Sequence, residues 1–259
     1  MSLAHPAYGV LRQVTPEASV LLERNPGTMT LDGTNTWVLR APDSEACIVV
    51  DPGYHDETHL ERVVEAGPVE LIILTHNHPD HIEGAPWLAE RMGAPVRAFD
   101  PKLCSGGDPL TDGSLSAGGL ELRVDHTPGH TDDSICLEIS RASQPAVLTG
   151  DTVLGRGTTV VSQLGDYLDS LRLLTSVPSG TMVLPGHGPE LPDLSSTARE
   201  YLAHREQRLD QVRTAFNRLG PEATPREVVE LVYADVDRSL WGPAEWSVRA
   251  QLDFLRQHG

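Results

Sequence analysis

Apolar residues in the first 190 or so positions fall in short dense runs bordered by turn-formers, whereas in the last 65 or so they fall at helical spacing. The runs 18–22 (ASVLL), 34–39 (TNTWVL) and 46–50 (ACIVV) predict strands, the third closed by Asp51-Pro52-Gly53. Leu60, Val63 and Val64 share one face of a helix at 57–66. The strongly apolar VELIIL at 69–74 predicts another strand, and a helix from Ile82 to Met92 follows, broken by Gly93. The second half is looser, with strands at 95–99, 119–124, 134–139, 145–149 and 181–184 and a helix at 164–176. Several strands are apolar almost throughout, which places sheets beneath helices. A four-layer sandwich accommodates both halves, as one α/β arrangement among several.

The tail has another texture. Ser196 is placed to cap a helix at 198–217, whose Tyr201, Leu202, Leu209, Val212 and Phe216, with Leu219 just beyond, approximate one apolar face. Thr224-Pro225-Arg226-Glu227 joins an N-cap threonine to a proline at N1 and a glutamate at N3, a strong helix start. A last helix is expected at 243–257, with Ala244, Val248, Leu252 and Leu255 in register. The segment 188–196 (GPELPDLSS) has linker composition, so we expect domains at 1–190 and 195–259.

Charge narrows the functional classes. The chain of 259 residues carries −17, and residues 1–188 hold 11 basic and 25 acidic side chains. No broad basic face can form, which argues against duplex DNA as a partner. Lys102 is the only lysine, a poor basis for Schiff-base chemistry. The apolar runs are too short to span a membrane, and the first residues lack the pattern of a secretory signal. Cys47, Cys104 and Cys136 are widely spaced and read as thiols in a reducing compartment, so a cytoplasmic location is expected. The sequence says nothing of oligomeric state.

The chemistry concentrates in Thr75-His76-Asn77-His78-Pro79-Asp80-His81, directly after the VELIIL strand. His76 and His78 are two apart and can leave a strand end on the same side. Imidazoles with a nearby carboxylate suit a borderline divalent metal such as zinc. His130 (TPGHT), Asp151 (LTGD) and His187 (LPGHG) each follow an apolar segment in a glycine turn, where α/β proteins place chemistry. Seven such groups exceed the needs of one metal and suit two divalent ions, with Zn2+ as the default. Asp51, at a strand end, is a candidate to support the metals. One of Asp132 and Asp133 is expected to orient a ligand, and His126 is open between that role and solvent. His5, His55, His59, His204 and His258 read as surface residues.

These motifs resemble the metallo-β-lactamase superfamily over roughly residues 18–188. The resemblance rests on DPG at 51–53, HNHPDH at 76–81, His130, Asp151 and His187. It implies an αββα sandwich with a dinuclear site at the edge between the sheets. By that resemblance His76, His78 and His130 would hold the first metal, Asp80, His81 and His187 the second, and Asp151 would bridge them. A bridging aspartate in place of the cysteine of many β-lactamases disfavours antibiotic hydrolysis. GTNTWVLR at 33–40, TPGHTDDS at 127–134 and GDTVLGRGTTV at 150–160 look like the beta-lactamase-like protein 2 group, whose tail is a small winged-helix-like domain. That group includes a single-strand-specific endoribonuclease and fungal thioesterases acting on carrier-bound acyl chains.

The implied activity is metal-dependent hydrolysis by a hydroxide bridging two metals ~3.5–4 Å apart, with Asp80 and Asp151 as the catalytic carboxylates. An ester, thioester or lactone, small or carrier-bound, would want an apolar groove, to which Met29, Leu31, Trp37 and Leu154 are candidate contributors. Single-stranded RNA, the alternative, would want arginines near the metals, and Arg156 is suitable. A winged-helix interaction protein with a non-catalytic metal site is a third reading.

Overall fold

In this computed structural model, which describes residues 7–258, β1 (Arg12–Gln13), β2 (Ala18–Leu22), β3 (Asn35–Leu39) and β4 (Cys47–Val50) pair antiparallel in sequence. Helix α1 (Glu57–Val64) then returns the chain so that β5 (Val69–Ile73) lies parallel to β4. Two short helices, α2 (Pro79–Ile82) and α3 (Ala85–Met92), lead to β6 (Val96–Arg97), parallel to β5 at the edge of this six-stranded sheet. The second sheet begins with an antiparallel meander of β7 (Gly113–Ala117), β8 (Leu120–His126), β9 (Ile135–Ser140) and β10 (Ala146–Gly150). Helix α4 (Leu164–Thr175) crosses over to β11 (Met182–Pro185), parallel to β10.

Alternation along the strands builds the layers. Trp37, Leu39, Ile48, Val50, Leu71 and Ile73 face Leu122, Val124, Ile135, Leu137 and Leu148 of the other sheet in one buried cluster. Their neighbours Val38, Val49 and Ile72 turn outward under Leu60 and Val63 of α1 and Leu88 of α3. On the far side, Cys136, Val147 and Val183 lie under Leu164, Leu168 and Leu171 of α4. The result is the expected αββα sandwich.

Helices α5 (Leu194–Leu219), α6 (Pro225–Val232) and α7 (Trp241–His258) form the small C-terminal winged-helix-like domain, and among the described residues no strand follows β11. The apolar faces of all three enter the same buried cluster as α4. No helix among the described residues is long and apolar enough to cross a membrane.

Three local expectations change. Helix α5 starts before Ser196, because Asp193 is the N-cap and accepts from Ser196 N at 2.8 Å while also binding Gly180 N at 2.9 Å. The helix expected from Ile82 to Met92 is interrupted at Gly84, where a Cβ would lie 2.8 Å from the Leu60 side chain. Strand β7 escapes the hydrophobic pattern because its sequence GSLSA offers one large apolar residue.

Candidate metal centre

The parallel strands β4, β5, β10 and β11 all deliver functional groups at their C-terminal ends. After β5, Pro79 starts α2 at once, with His78 as its N-cap and Asp80 and His81 in its single turn. Asp51, just past β4, is 1% exposed and adopts a left-handed φ of 52° that aims its carboxylate back at this turn. It accepts from Thr75 N at 2.8 Å, from the Thr75 hydroxyl at 2.7 Å and from His81 Nδ1 at 2.9 Å. From the second sheet come His130 in the β8–β9 turn, Asp151 after β10 and His187 after β11. Gly129, at φ +127°, brings the His130 turn so close to α4 that a Cβ would lie 2.4 Å from the Tyr167 backbone.

All seven groups meet. Ligand atoms of His76, His78, His130 and Asp151 lie within 4.8 Å of one another, as do those of Asp80, His81 and His187. Asp151 stands between the two clusters, 3.4 Å from His187 Nε2, 3.7 Å from His81 Nε2 and 3.8 Å from His130 Nε2.

The hydrogen bonds fix which nitrogens face inward. His130 Nδ1 donates to the Val160 carbonyl at 2.7 Å, His187 Nδ1 to the Gly33 carbonyl at 3.0 Å and His81 Nδ1 to Asp51. The Thr75 hydroxyl gives its proton to Asp51, so it accepts from His76 Nδ1 at 2.9 Å. Four imidazoles therefore turn their Nε2 atoms toward the centre. His81 Nε2 and His187 Nε2 stand only 3.2 Å apart, and buried Asp151 Oδ1 accepts no hydrogen bond among the described residues. Such a donor set fits divalent cations, with the outer hydrogen bonds orienting each ring.

Charge divides the centre. Burial drives the His76 pKa well below its usual value and that of His130 down to about 4, which keeps these two imidazoles neutral. Burial also opposes charge on His81, yet Asp51, Asp151 and Asp80 together push it up to about 10. His187 shifts upward against the same burial because of Asp151 and Asp80. Burial works against ionising Asp80, but its hydrogen bond to His187 and the charge on His81 hold its carboxyl well below the usual range. The Asp80–His81–His187 half thus attracts positive charge.

The remaining candidates separate. Arg156 lies on the wall beside the centre, 3.3 Å from Asp32. Trp37 does not line this space: it is 1% exposed between the sheets, and Nε1 donates to the Pro185 carbonyl at 3.0 Å. Asp132 is exposed, and its carbonyl accepts from His126 Nε2 at 2.8 Å. Its neighbour Asp133 is the buried one, accepting from the Thr131 hydroxyl at 2.7 Å and from the Asn77 amide inside the HNHPDH turn. His126 stacks on Phe99 with ring centroids 3.8 Å apart. His59 is not a surface residue but is buried, its Nε2 2.8 Å from the Thr36 hydroxyl. His5 and the side chain of His258 lie outside the described residues.

The C-terminal helices take a part in this centre that their periodicity does not announce. The centre opens into a cavity of about 710 Å³ lined by Met29, Leu31, Leu154 and Val160 and closed by Leu240, just before α7, and by Pro243 and Trp246 in its first turns. The loop between β10 and α4 forms one wall, and the C-terminal helices hold it. Tyr201 donates to the Gly157 carbonyl at 2.7 Å, Ser247 accepts from Val161 N at 3.4 Å, and buried Arg205 donates to the Thr159 carbonyl. The Thr159 hydroxyl is 2.9 Å from His130 Nδ1.

Comparison with known proteins agrees with this arrangement. The model of the Metallo-beta-lactamase superfamily matches residues 29–187, and that of the Beta-lactamase associated winged helix domain matches 224–259. The chain belongs to the metallo-beta-lactamase superfamily. Within it, the chain is 31% identical to the lactamase-like protein adaB of Aspergillus niger, over 97% of this chain and 82% of that one. It is also 31% identical to a beta-lactamase-like protein 2 homolog of Drosophila melanogaster, over 95% of this chain and 90% of that one. A beta-lactamase domain protein from Burkholderia ambifaria shares the fold over 100% of this chain and 91% of that one, with a TM-score of 0.83 at 23% identity. A metallo-beta-lactamase family protein from Thermus thermophilus does so over 95% of each, at 0.77 and 21%. Superfamily fold and paired His/Asp clusters together make this a metal-dependent hydrolase.

Proposed function

We propose that the protein is a zinc-dependent hydrolase of acyl substrates, an ester, thioester or lactone that is small or carrier-bound, with Asp80 and Asp151 as its catalytic carboxylates. His76, His78 and His130 would hold one ion and Asp80, His81 and His187 the other, with Asp151 shared. When bound, two divalent ions acidify a water and polarise the scissile carbonyl. Asp80 borders the cavity, and its ionised carboxylate orients the attacking water. Asp51 and the Val160 carbonyl fix the rings of His81 and His130, so little rearrangement is needed as charge develops. The free thiols of Cys47, Cys104 and Cys136 support a cytoplasmic location.

The observation that carries this reading is the cavity wall, which is mainly apolar. Its arginines are Arg156, already beside Asp32, and Arg249. A neutral acyl group gains from such walls, whereas an RNA strand needs its phosphates matched. One observation favours single-stranded RNA: exposed Trp246 could stack a base, with the two arginines near it.

The test is a turnover panel of the zinc-loaded protein on an acyl thioester, a homoserine lactone, nitrocefin, bis-p-nitrophenyl phosphate and labelled single-stranded RNA. Asp80→Ala serves as the blank and is expected to lose ~10²-fold or more in rate while remaining folded. The expected result is Asp80-dependent thioester or lactone turnover ahead of RNA cleavage. Asp80-dependent RNA cleavage with no acyl turnover would reverse the proposal.

A further inference from the structure

Three of the nine large apolar side chains exposed among the described residues border the cavity, including the most exposed of them, Trp246. Met29, Leu240 and Trp246 are 45%, 41% and 63% exposed, and all three line the cavity over the metal centre. Leaving a tryptophan in water is unfavourable, and exposed apolar side chains bordering a cleft mark a surface that a ligand covers.

Helix α7 supplies Trp246 to that rim and four further residues to the cavity wall, in a fixed orientation. Trp246, Arg249, Ala250 and Asp253 line the cavity, and their three- and four-residue spacing puts them on one helical face. The opposite face is locked, with Val248 and Leu252 fully buried, and Ser247 on the flank accepts from Val161 N. The face cannot rotate away, so its side chains are a permanent wall. On it, Asp253 is paired with Arg256 at 3.4 Å, whereas no carboxylate among the described residues lies within 4.0 Å of the Arg249 guanidinium. In a chain carrying −17, an arginine left without a carboxylate on a cavity wall suits an anionic group of a ligand.

We propose that α7 is the specificity wall of the site: Trp246, with Met29 and Leu240, takes an extended apolar acyl chain, and Arg249 takes an anionic group carried by that chain. The inference rests on the acyl-hydrolase reading and adds the kind of acyl group. A cavity of about 710 Å³ is far larger than an acetyl ester needs. The winged-helix-like domain thereby acts in substrate choice, through α7.

The experiment uses the full-length zinc-loaded protein and three N-acetylcysteamine thioesters: acetyl, decanoyl and decanoyl with a terminal carboxylate. Wild type is expected to show a lower KM for both long chains than for acetyl. Trp246→Ala should raise KM for the long chains about tenfold more than for acetyl, the loss falling on KM rather than kcat, and Trp246→Phe should recover part of it. Arg249→Gln should raise KM about tenfold for the carboxylate-terminated chain alone. Calorimetric titration with decanoate and decanedioate reads the wall without turnover. If no thioester is hydrolysed, the acyl-hydrolase reading fails, while Trp246-dependent decanoate binding and an Arg249-dependent preference for decanedioate would still uphold the wall. Equal decanoate binding by wild type and Trp246→Ala, or a wild-type KM indifferent to chain length, would overturn the inference.

Discussion

On the β5 side of the centre, His76 and His81 are both anchored through one carboxylate, Asp51, which reaches them directly or through Thr75. On the β10 side, His130 leans on the backbone of Val160 and the hydroxyl of Thr159, and that loop is held from outside by Arg205, Tyr201 and Ser247 of the C-terminal helices. The first side is built wholly within the sandwich. The second needs a group 75 residues further along the chain than the histidine it positions. One centre therefore has two dependencies, and the helical domain belongs to the hydrolytic unit as much as the sheets do.

The two sides should separate most severely at Asp51. Asp51→Ala removes three buried hydrogen bonds and leaves the Thr75 amide and His81 Nδ1 without acceptors. We expect a loss of about 3–5 kcal/mol in denaturant unfolding together with loss of metal from the Asp80–His81–His187 half. A stable, fully loaded Asp51→Ala protein would show that Asp51 is not the anchor.

The opposite side should respond in metal affinity more than in stability. Arg205→Met keeps much of the volume and apolar contact of a buried side chain but frees the Thr159 carbonyl. We expect about 10–100-fold weaker zinc binding at the His130 half in chelator competition, with a stability change of only about 1–2 kcal/mol. Ser247→Ala should shift affinity in the same direction by less. Unchanged affinity in both variants would mean that the helices merely cover the loop.

An effect confined to the pH dependence of stability lies behind the β5 side. Buried Glu23 accepts from Tyr54 N at 3.1 Å, and burial, helped by Asp56 and Asp80, pushes its carboxyl up to about 7. Folded, Glu23 keeps its proton to about pH 7, and unfolded it loses it near 4.5. Stability should therefore fall as pH rises from 4.5 to 7 and stay lower above. Glu23→Gln removes the ionisation and should be about 1–3 kcal/mol more stable than wild type at pH 8, the gap closing toward pH 4.5. Parallel unfolding curves at both pH values check the sign.

Legibility in the sequence follows the same division. The β5 side is legible because its groups are contiguous: His76 to His81 fill one turn after an apolar strand, and Asp51 closes another. Strands β2 to β5 are legible because both faces are buried, and β7 is not because GSLSA is small and polar. Trp37 is misplaced by pattern alone because an aromatic in a strand looks the same whether it faces a groove or the opposite sheet. Asp132 and Asp133 cannot be told apart because adjacent turn residues point oppositely, and sequence cannot say which turns inward. The β10 side is hidden because helical periodicity identifies a buried face without saying what covers it. Arg205 offers one signal, since it sits between Tyr201 and Leu209 at four-residue spacing, a charge inside the apolar stripe of α5.

Metal stoichiometry tests the central claim of a two-sided centre most directly. Elemental analysis of the full-length protein, equilibrated with zinc and freed of excess, should give about two ions per chain. His130→Ala and His187→Ala should each retain close to one. At most one tightly bound ion in wild type under saturating zinc would contradict the account.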